Sequence, residues 1–137
     1  MPIIEWDKKF ELGMQPFDEH HKHLVSLLNE VYDDFAGGSD REALGIVLDM
    51  LIDYAMNHFA AEELRMGLHE YPQFRQHCEE HDKFYRRIVE IQNNFHMGKG
   101  DLSLEVMNFL GSWLSEHILK SDADYGRFAV GLPPVAG

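Results

Sequence analysis

Apolar residues recur along this chain in steps of three and four, and four such stripes can be followed in turn. The first runs Phe17, His21, Leu24, Leu28, Val31, Phe35 and stops at Gly37 and Gly38, with Asp18 placed to cap its start. The second runs Leu44, Leu48, Leu51, Ala55, His58, Glu62, behind Ser39 or Asp40 as a cap and ahead of Gly67 as a stop. The third begins near Pro72, which suits the first turn of a helix. It holds a seven-residue repeat through Phe74, His77, His81, Phe84, Ile88, Ile91 and Phe95 before Gly98 and Gly100. The fourth, started by Asp101 or Ser103, carries Val106, Leu110, Trp113 and His117. Stripes of this period occupy one face of an α-helix and bury it against a neighbour. The pattern predicts a single all-α domain over 1–137, an up-down-up-down four-helix bundle covering about 17–125. Residues 1–16 lack periodicity and predict an extended N-terminal arm that lays Trp6 and Phe10 over the bundle. Residues 126–137, with two adjacent prolines, predict an irregular tail.

Six stripe positions are polar, and they are of few kinds: His21, His58, His77, His81, His117 and Glu62. A buried polar group without a partner costs roughly 1 to 3 kcal/mol. Six of them in one core layer would cost on the order of 5 to 15 kcal/mol, which matches the whole stability of a typical domain. A bound metal removes that penalty. Imidazoles with carboxylates suit iron or manganese, and Cys78 lies off the stripe, which argues against a thiolate zinc site. The ligands are too many for one tetrahedral ion, so two metals are implied. His20, His23 and His96 fall off the stripes and His69 falls in a loop; these four read as solvated surface residues.

Composition narrows the partners. With 24 acidic against 12 basic residues the formal net charge is -12, which disfavours nucleic acid and anionic membrane surfaces. No apolar run approaches the roughly 20 residues that span a bilayer, and the start of the chain does not resemble a secretory leader, so a cytoplasmic protein is expected. The stripes are used up by one bundle, which predicts a monomer.

The segments DEHHKHL at 18–24, HFAAEE at 58–63, YPQFRQHCEEH at 71–81 and WLSEHILKSDADY at 113–125 together resemble the hemerythrin family, specifically its single-domain bacterial members. The resemblance runs from about Trp6 to Tyr125. It implies a non-haem diiron centre with an oxo or hydroxo bridge: His77, His81 and His117 on one iron, His21 and His58 on the other, Glu62 and Asp122 bridging. The second iron is then one ligand short, and the resemblance implies that O2 binds there reversibly, for storage, transport or delivery to an oxygen-consuming enzyme. Phe59, Trp113, Leu114 and Ile118 are candidate walls of the O2 pocket. The chain departs from the family at His20, where glutamine is common, and at His23, where lysine is common.

The helical period does not itself favour Asp122. It lies five residues after His117, about 140° around a regular helix, whereas Asp124 returns to the stripe. The resemblance selects Asp122, and a widened turn between the two is then expected. A carrier is expected rather than an enzyme, because ferritin-like diiron enzymes use Glu-x-x-His pairs and this sequence contains none. The alternatives are a sensor of O2, redox state or iron acting through a partner, and a diiron peroxidase or nitric oxide reductase.

Overall fold

The computed structural model describes residues 3–131 and is helical throughout its regular parts. After a short 3-10 turn at Lys8–Phe10 come α1 (Phe17–Ala36), α2 (Arg41–Leu68), α3 (Phe74–His96) and α4 (Leu104–Glu116). A π-helical segment, His117–Asp122, joins α4 to a last short helix, α5 (Ala123–Ala129), so that the three form one rod. No strand occurs among the described residues. Contacts between opposite ends show that neighbours run antiparallel: His20 near the start of α1 meets His58 in the second half of α2, and Arg41 at the start of α2 reaches the Phe95 carbonyl at the end of α3. The result is the expected four-helix bundle.

The stripes are buried at most of the positions where the period placed them; Phe35, Phe74, Val106 and Trp113 are half-buried, and in α4 Met107, Gly111 and Leu114 are buried beside Leu110. Leu24, Leu28, Val31, Leu48, Ile88 and Leu110 are among the most enclosed apolar side chains. Two caps also match: the Asp40 carboxylate accepts from the Ala43 amide, and the Ser103 hydroxyl accepts from the Val106 amide. Such caps satisfy amides that a helix start leaves without partners.

Several boundaries differ from expectation. Asp18 does not cap α1. It lies inside the helix and its two carboxylate oxygens accept from the Leu12 and Gly13 amides, tying the arm to the bundle. The arm is anchored further by Asn29, whose side chain bonds Ile3 and Ile4, and Trp6 stacks on the buried Phe10 with ring centres 5.2 Å apart. Pro72 lies in the turn before α3 rather than in its first turn. Gly67 does not stop α2. The helix passes through it and closes at Glu70, which adopts a left-handed φ of 52° while the Tyr71 amide bonds back to the Met66 carbonyl. α1 and α3 close in the same way, with Gly38 and Gly98 at that left-handed position. The tail begins later than expected, since α5 runs to Ala129 with Tyr125 and Gly126 buried. The prolines of the expected tail lie outside the described residues.

The antiparallel order brings the start of α1, the second half of α2, the start of α3 and the end of α4 to one end of the bundle. A second apolar cluster, Phe17, Met66, Tyr71 and Tyr125, closes that end. Between it and the main core lies a layer of polar side chains.

Candidate metal centre

The layer contains His21 from α1, His58 and Glu62 from α2, His77 and His81 from α3, and His117 and Asp122 from the two ends of the π segment. All seven are at most 4% exposed. The helical offset of four explains why His58 and Glu62 share a face, as do His77 and His81. His117 and Asp122 share one for a different reason. The π segment spans both, and its wider turn brings a residue at an offset of five back beneath the first. The widened turn expected from the sequence is present, and it turns Asp122 into the core.

The donor atoms divide into two groups that share the carboxylates: Glu62, His77, His81, His117 and Asp122 in one, His21, His58, Glu62 and Asp122 in the other. Each carboxylate splits its oxygens between them. Glu62 Oε1 lies 2.8 Å from His77 Nε2 and 3.2 Å from His81 Nε2, while Oε2 lies 3.0 Å from His58 Nε2 and 3.5 Å from His21 Nε2. Asp122 Oδ1 lies 3.1 Å from His77 Nε2 and 3.2 Å from His117 Nε2, while Oδ2 lies 3.1 Å from His21 Nε2.

These residues fit a metal better than they fit each other. Both His21 ring nitrogens, Glu62 Oε2 and both Asp122 oxygens are buried without a partner in hydrogen-bond geometry, although Glu62 Oε2 and Asp122 Oδ2 lie within 3.5 Å of His21 Nε2. The atoms converge on common points instead of aiming along donor–acceptor lines. His81 Nδ1 lies 3.1 Å from Glu63 Oε2 and His117 Nδ1 lies 3.3 Å from Glu80 Oε1. A carboxylate only accepts, so each Nδ1 carries a proton and donates it, which leaves the neutral ring's lone pair on Nε2. Those two Nε2 atoms are 2.9 Å apart. Two lone pairs at that distance require a proton or a cation between them.

The titration behaviour says the same. Burial would depress His21, but the Asp122 and Glu62 carboxylates outweigh it and raise its pKa to about 9. Burial is likewise overcome at His77, raised to about 10 by Asp122 and Glu62, and at His117, raised to about 9 chiefly by Asp122 and Glu80. Burial would raise Glu62, yet the surrounding imidazoles hold it well below the ordinary carboxylate range. Asp122 is pushed up by burial and by Glu62 and is nevertheless held low by His117 and His21. In the metal-free protein, therefore, protons occupy positions that a cation would take.

A pH dependence follows. Stability from His21, His77 and His117 is complete below their unfolded value near 6.5 and is lost as pH rises through about 9 to 10. Stability from Glu62 and Asp122 is complete above unfolded values of 4.5 and 3.8 and is lost only in acid. The melting temperature of the metal-free protein is expected to be highest between about pH 4.5 and 6.5 and to fall towards pH 10. Metal uptake at pH 7 is expected to release about three protons, readable with an indicator dye. A metal-free melting temperature that climbs from pH 6.5 to 10 would contradict the picture.

Of the candidate walls, Phe59 lies flat on His81 with ring centres 3.9 Å apart and also reaches His58 at 6.0 Å, so it touches both groups. Trp113 lies flat on His117 at 4.5 Å and on Phe84 at 4.0 Å, and so packs on the three-histidine group. Leu114 and Ile118 are buried in the main core.

His23, His69 and His96 are exposed, as expected; His69 pairs with the Tyr125 hydroxyl and His96 with Asp49. His20 corrects the expectation of a solvated residue. It is half-buried, and its Nδ1 lies 3.0 Å from His58 Nδ1. Burial, with His58 and His21 close by, lowers its pKa. Three contacting residues were missed in the sequence: His20, Glu63 and Glu80. Ser121, four residues after His117, donates to Glu80 at 2.6 Å and is the faint signal that this carboxylate faces the site. Cys78, its thiol pushed up to about 12 by burial and by Glu63, stays outside the donor set.

A layer of imidazoles and carboxylates held this way inside four antiparallel helices defines a metal-binding helical bundle. Residues 13–129 match the family model of the hemerythrin HHE cation binding domain, and the chain belongs to the hemerythrin family. It is 37% identical over 127 residues to a bacteriohemerythrin of Methylococcus capsulatus, covering 92% of this chain and 96% of that one. A bacteriohemerythrin of Pseudomonas aeruginosa is 34% identical over 125 residues, covering 91% and 80% respectively. Among solved structures, a wild-type hemerythrin crystal structure superposes with a TM-score of 0.85 at 33% identity, covering 90% of this chain and 95% of its own. An L114A hemerythrin variant superposes with a TM-score of 0.87 at 32% identity, covering 92% and 96%.

Proposed function

We propose that this protein binds O2 reversibly at a pair of iron ions held by His21, His58, Glu62, His77, His81, His117 and Asp122. The observation that carries the reading is the inequality of the two donor groups. Five residues converge on one position and four on the other, with Glu62 and Asp122 common to both. The group of five would offer one ion three imidazoles and two carboxylates, and the group of four would offer the other one imidazole fewer, which would leave it room for a small ligand. When bound there, an iron pair supplies reversible electron donation to O2.

The chain's own residues contribute orientation and exclusion. Glu63 and Glu80 accept from the Nδ1 protons of His81 and His117 and hold both Nε2 atoms inward. Phe59 and Trp113 pack flat on the same two rings and fix their planes. Phe17, Met66, Tyr71 and Tyr125 cover the end of the bundle and keep bulk water from the polar layer. Five imidazoles against two carboxylates, with no further acid or base among the donors, favour a carrier over an oxidising enzyme. Storage of O2, or its delivery to an oxygen-consuming partner, is the role that fits. No helix among the described residues is long and apolar enough to cross a membrane.

The test is anaerobic loading with Fe(II), metal analysis, and exposure to air. Two irons per chain are expected, with an intense visible absorption band that appears in air, fades under vacuum and returns over repeated cycles. Irreversible bleaching, or zinc as the sole metal in protein isolated from cells, would overturn it.

A further inference from the structure

The three ligand rings whose outer nitrogens have side-chain partners are not treated alike. His81 and His117 in the three-histidine group face the carboxylates Glu63 and Glu80. His58 in the two-histidine group faces a neutral partner instead, His20, at 3.0 Å between their Nδ1 atoms. The other ring of that group, His21, has no hydrogen-bond partner at its Nδ1. The two-histidine group therefore has one point of support for its rings, and His20 supplies it.

The direction of this bond follows from the donor side. His58 turns Nε2 inward, 3.0 Å from Glu62 Oε2, within the group of converging donor atoms. A ring that ligates through Nε2 while neutral carries its proton on Nδ1, so Nδ1 of His58 donates and Nδ1 of His20 accepts. His20 must then hold its own proton on Nε2. It is kept in place by Phe17, with ring centres 5.7 Å apart, and by Tyr54, whose ring meets it edge-on at 6.0 Å. An uncharged acceptor draws less electron density into the ligand ring than a carboxylate does, so His58 is the weaker donor and its ion the more weakly held.

We infer that His20 is a positioning residue: by accepting the Nδ1 proton of His58 it fixes that ring's tautomer and orientation, and so sets the affinity of the two-histidine group for its metal. The inference rests on the diiron reading above. It also implies an order of loading, with the three-histidine group filled first and emptied last.

The experiment is anaerobic competition for Fe(II) between the full-length protein and a graded chelator, with bound iron counted per chain. His20→Leu keeps side-chain bulk without an acceptor, and His20→Gln restores an acceptor through its amide oxygen. In wild-type protein the two ions are expected to leave in separate steps. In His20→Leu the weaker step is expected to shift by about 10- to 100-fold in chelator concentration while the tighter step stays put. In His20→Gln both steps are expected to lie near wild type. Unchanged steps in His20→Leu, or equal loss of the weaker ion in both variants, would overturn the inference, as would equal weakening of both steps. Wild-type protein that never holds two irons would instead overturn the diiron reading, so the two failures are distinguishable.

Discussion

Glu62→Gln is expected to empty both metal positions, not one. Glu62 divides its oxygens between the two groups, with Oε1 against His77 and His81 and Oε2 against His58 and His21. An amide at this position keeps the size but loses the charge, and its nitrogen turns donors towards ring nitrogens on one side. Iron per chain is expected to fall from two to near zero after passage over a chelating resin, and the reversible O2 band with it. The metal-free protein also suffers, because four imidazoles lose the anion they face in a 1% exposed setting. Removing one partner from a buried ionic cluster costs about 3 to 5 kcal/mol. For a chain of this size that is a fall in melting temperature on the order of 10 °C. Glu63→Gln is the contrast. Glu63 is 34% exposed on its side chain and supports His81 from outside, so both ions are expected to remain with weakened retention of the three-histidine ion. Two irons retained in Glu62→Gln would show that this carboxylate does not bridge.

How far the sequence alone leads can be seen residue by residue. The fold was legible because each stripe kept its period over many turns, and a long amphipathic pattern has few alternatives. The five histidines and Glu62 were legible for the same reason: each continued a stripe whose other positions were mostly apolar. Helix ends were less so. Gly67 looked like a stop, but the left-handed position of that closure fell to Glu70, which nothing in its side chain advertises. Asp18 looked like a cap, but its carboxylate served the arm, a contact between segments that local pattern does not encode. His20, Glu63 and Glu80 were hidden because each meets its partner from another helix, and the rotation of one helix against the next is set by packing rather than by spacing. The surroundings of the donor groups were only half legible. Phe59 and Trp113 do touch histidine rings of the polar layer, yet spacing could not say that Trp113 would lie on the three-histidine group.

Asp122 is the residue for which period and resemblance pointed to different places, and it yields the sharpest pair of variants. Asp122→Ala is expected to lose iron from both positions, whereas Asp124→Ala, two residues on and on the regular stripe, is expected to keep two irons per chain. The reason lies in the backbone. A regular α-helix from His117 would turn Asp122 about 140° away from it and would present Asp124 instead. The π segment from His117 to Asp122 adds the residue that reverses this choice, so that Asp122 is 1% exposed and within 3.2 Å of Nε2 atoms on His21, His77 and His117. Widened turns of this kind are rare and tend to occur at functional sites, where a side chain must be aimed against the helical period. Without the Asp122 carboxylate, His21, His77 and His117 lose an anion that holds their pKa values up. The metal-free Asp122→Ala protein is therefore expected to show a flatter fall in melting temperature between about pH 6.5 and 10 than wild type, with Asp124→Ala unchanged. Iron lost from Asp124→Ala and kept by Asp122→Ala would mean that the segment relaxes to a regular helix when metal binds.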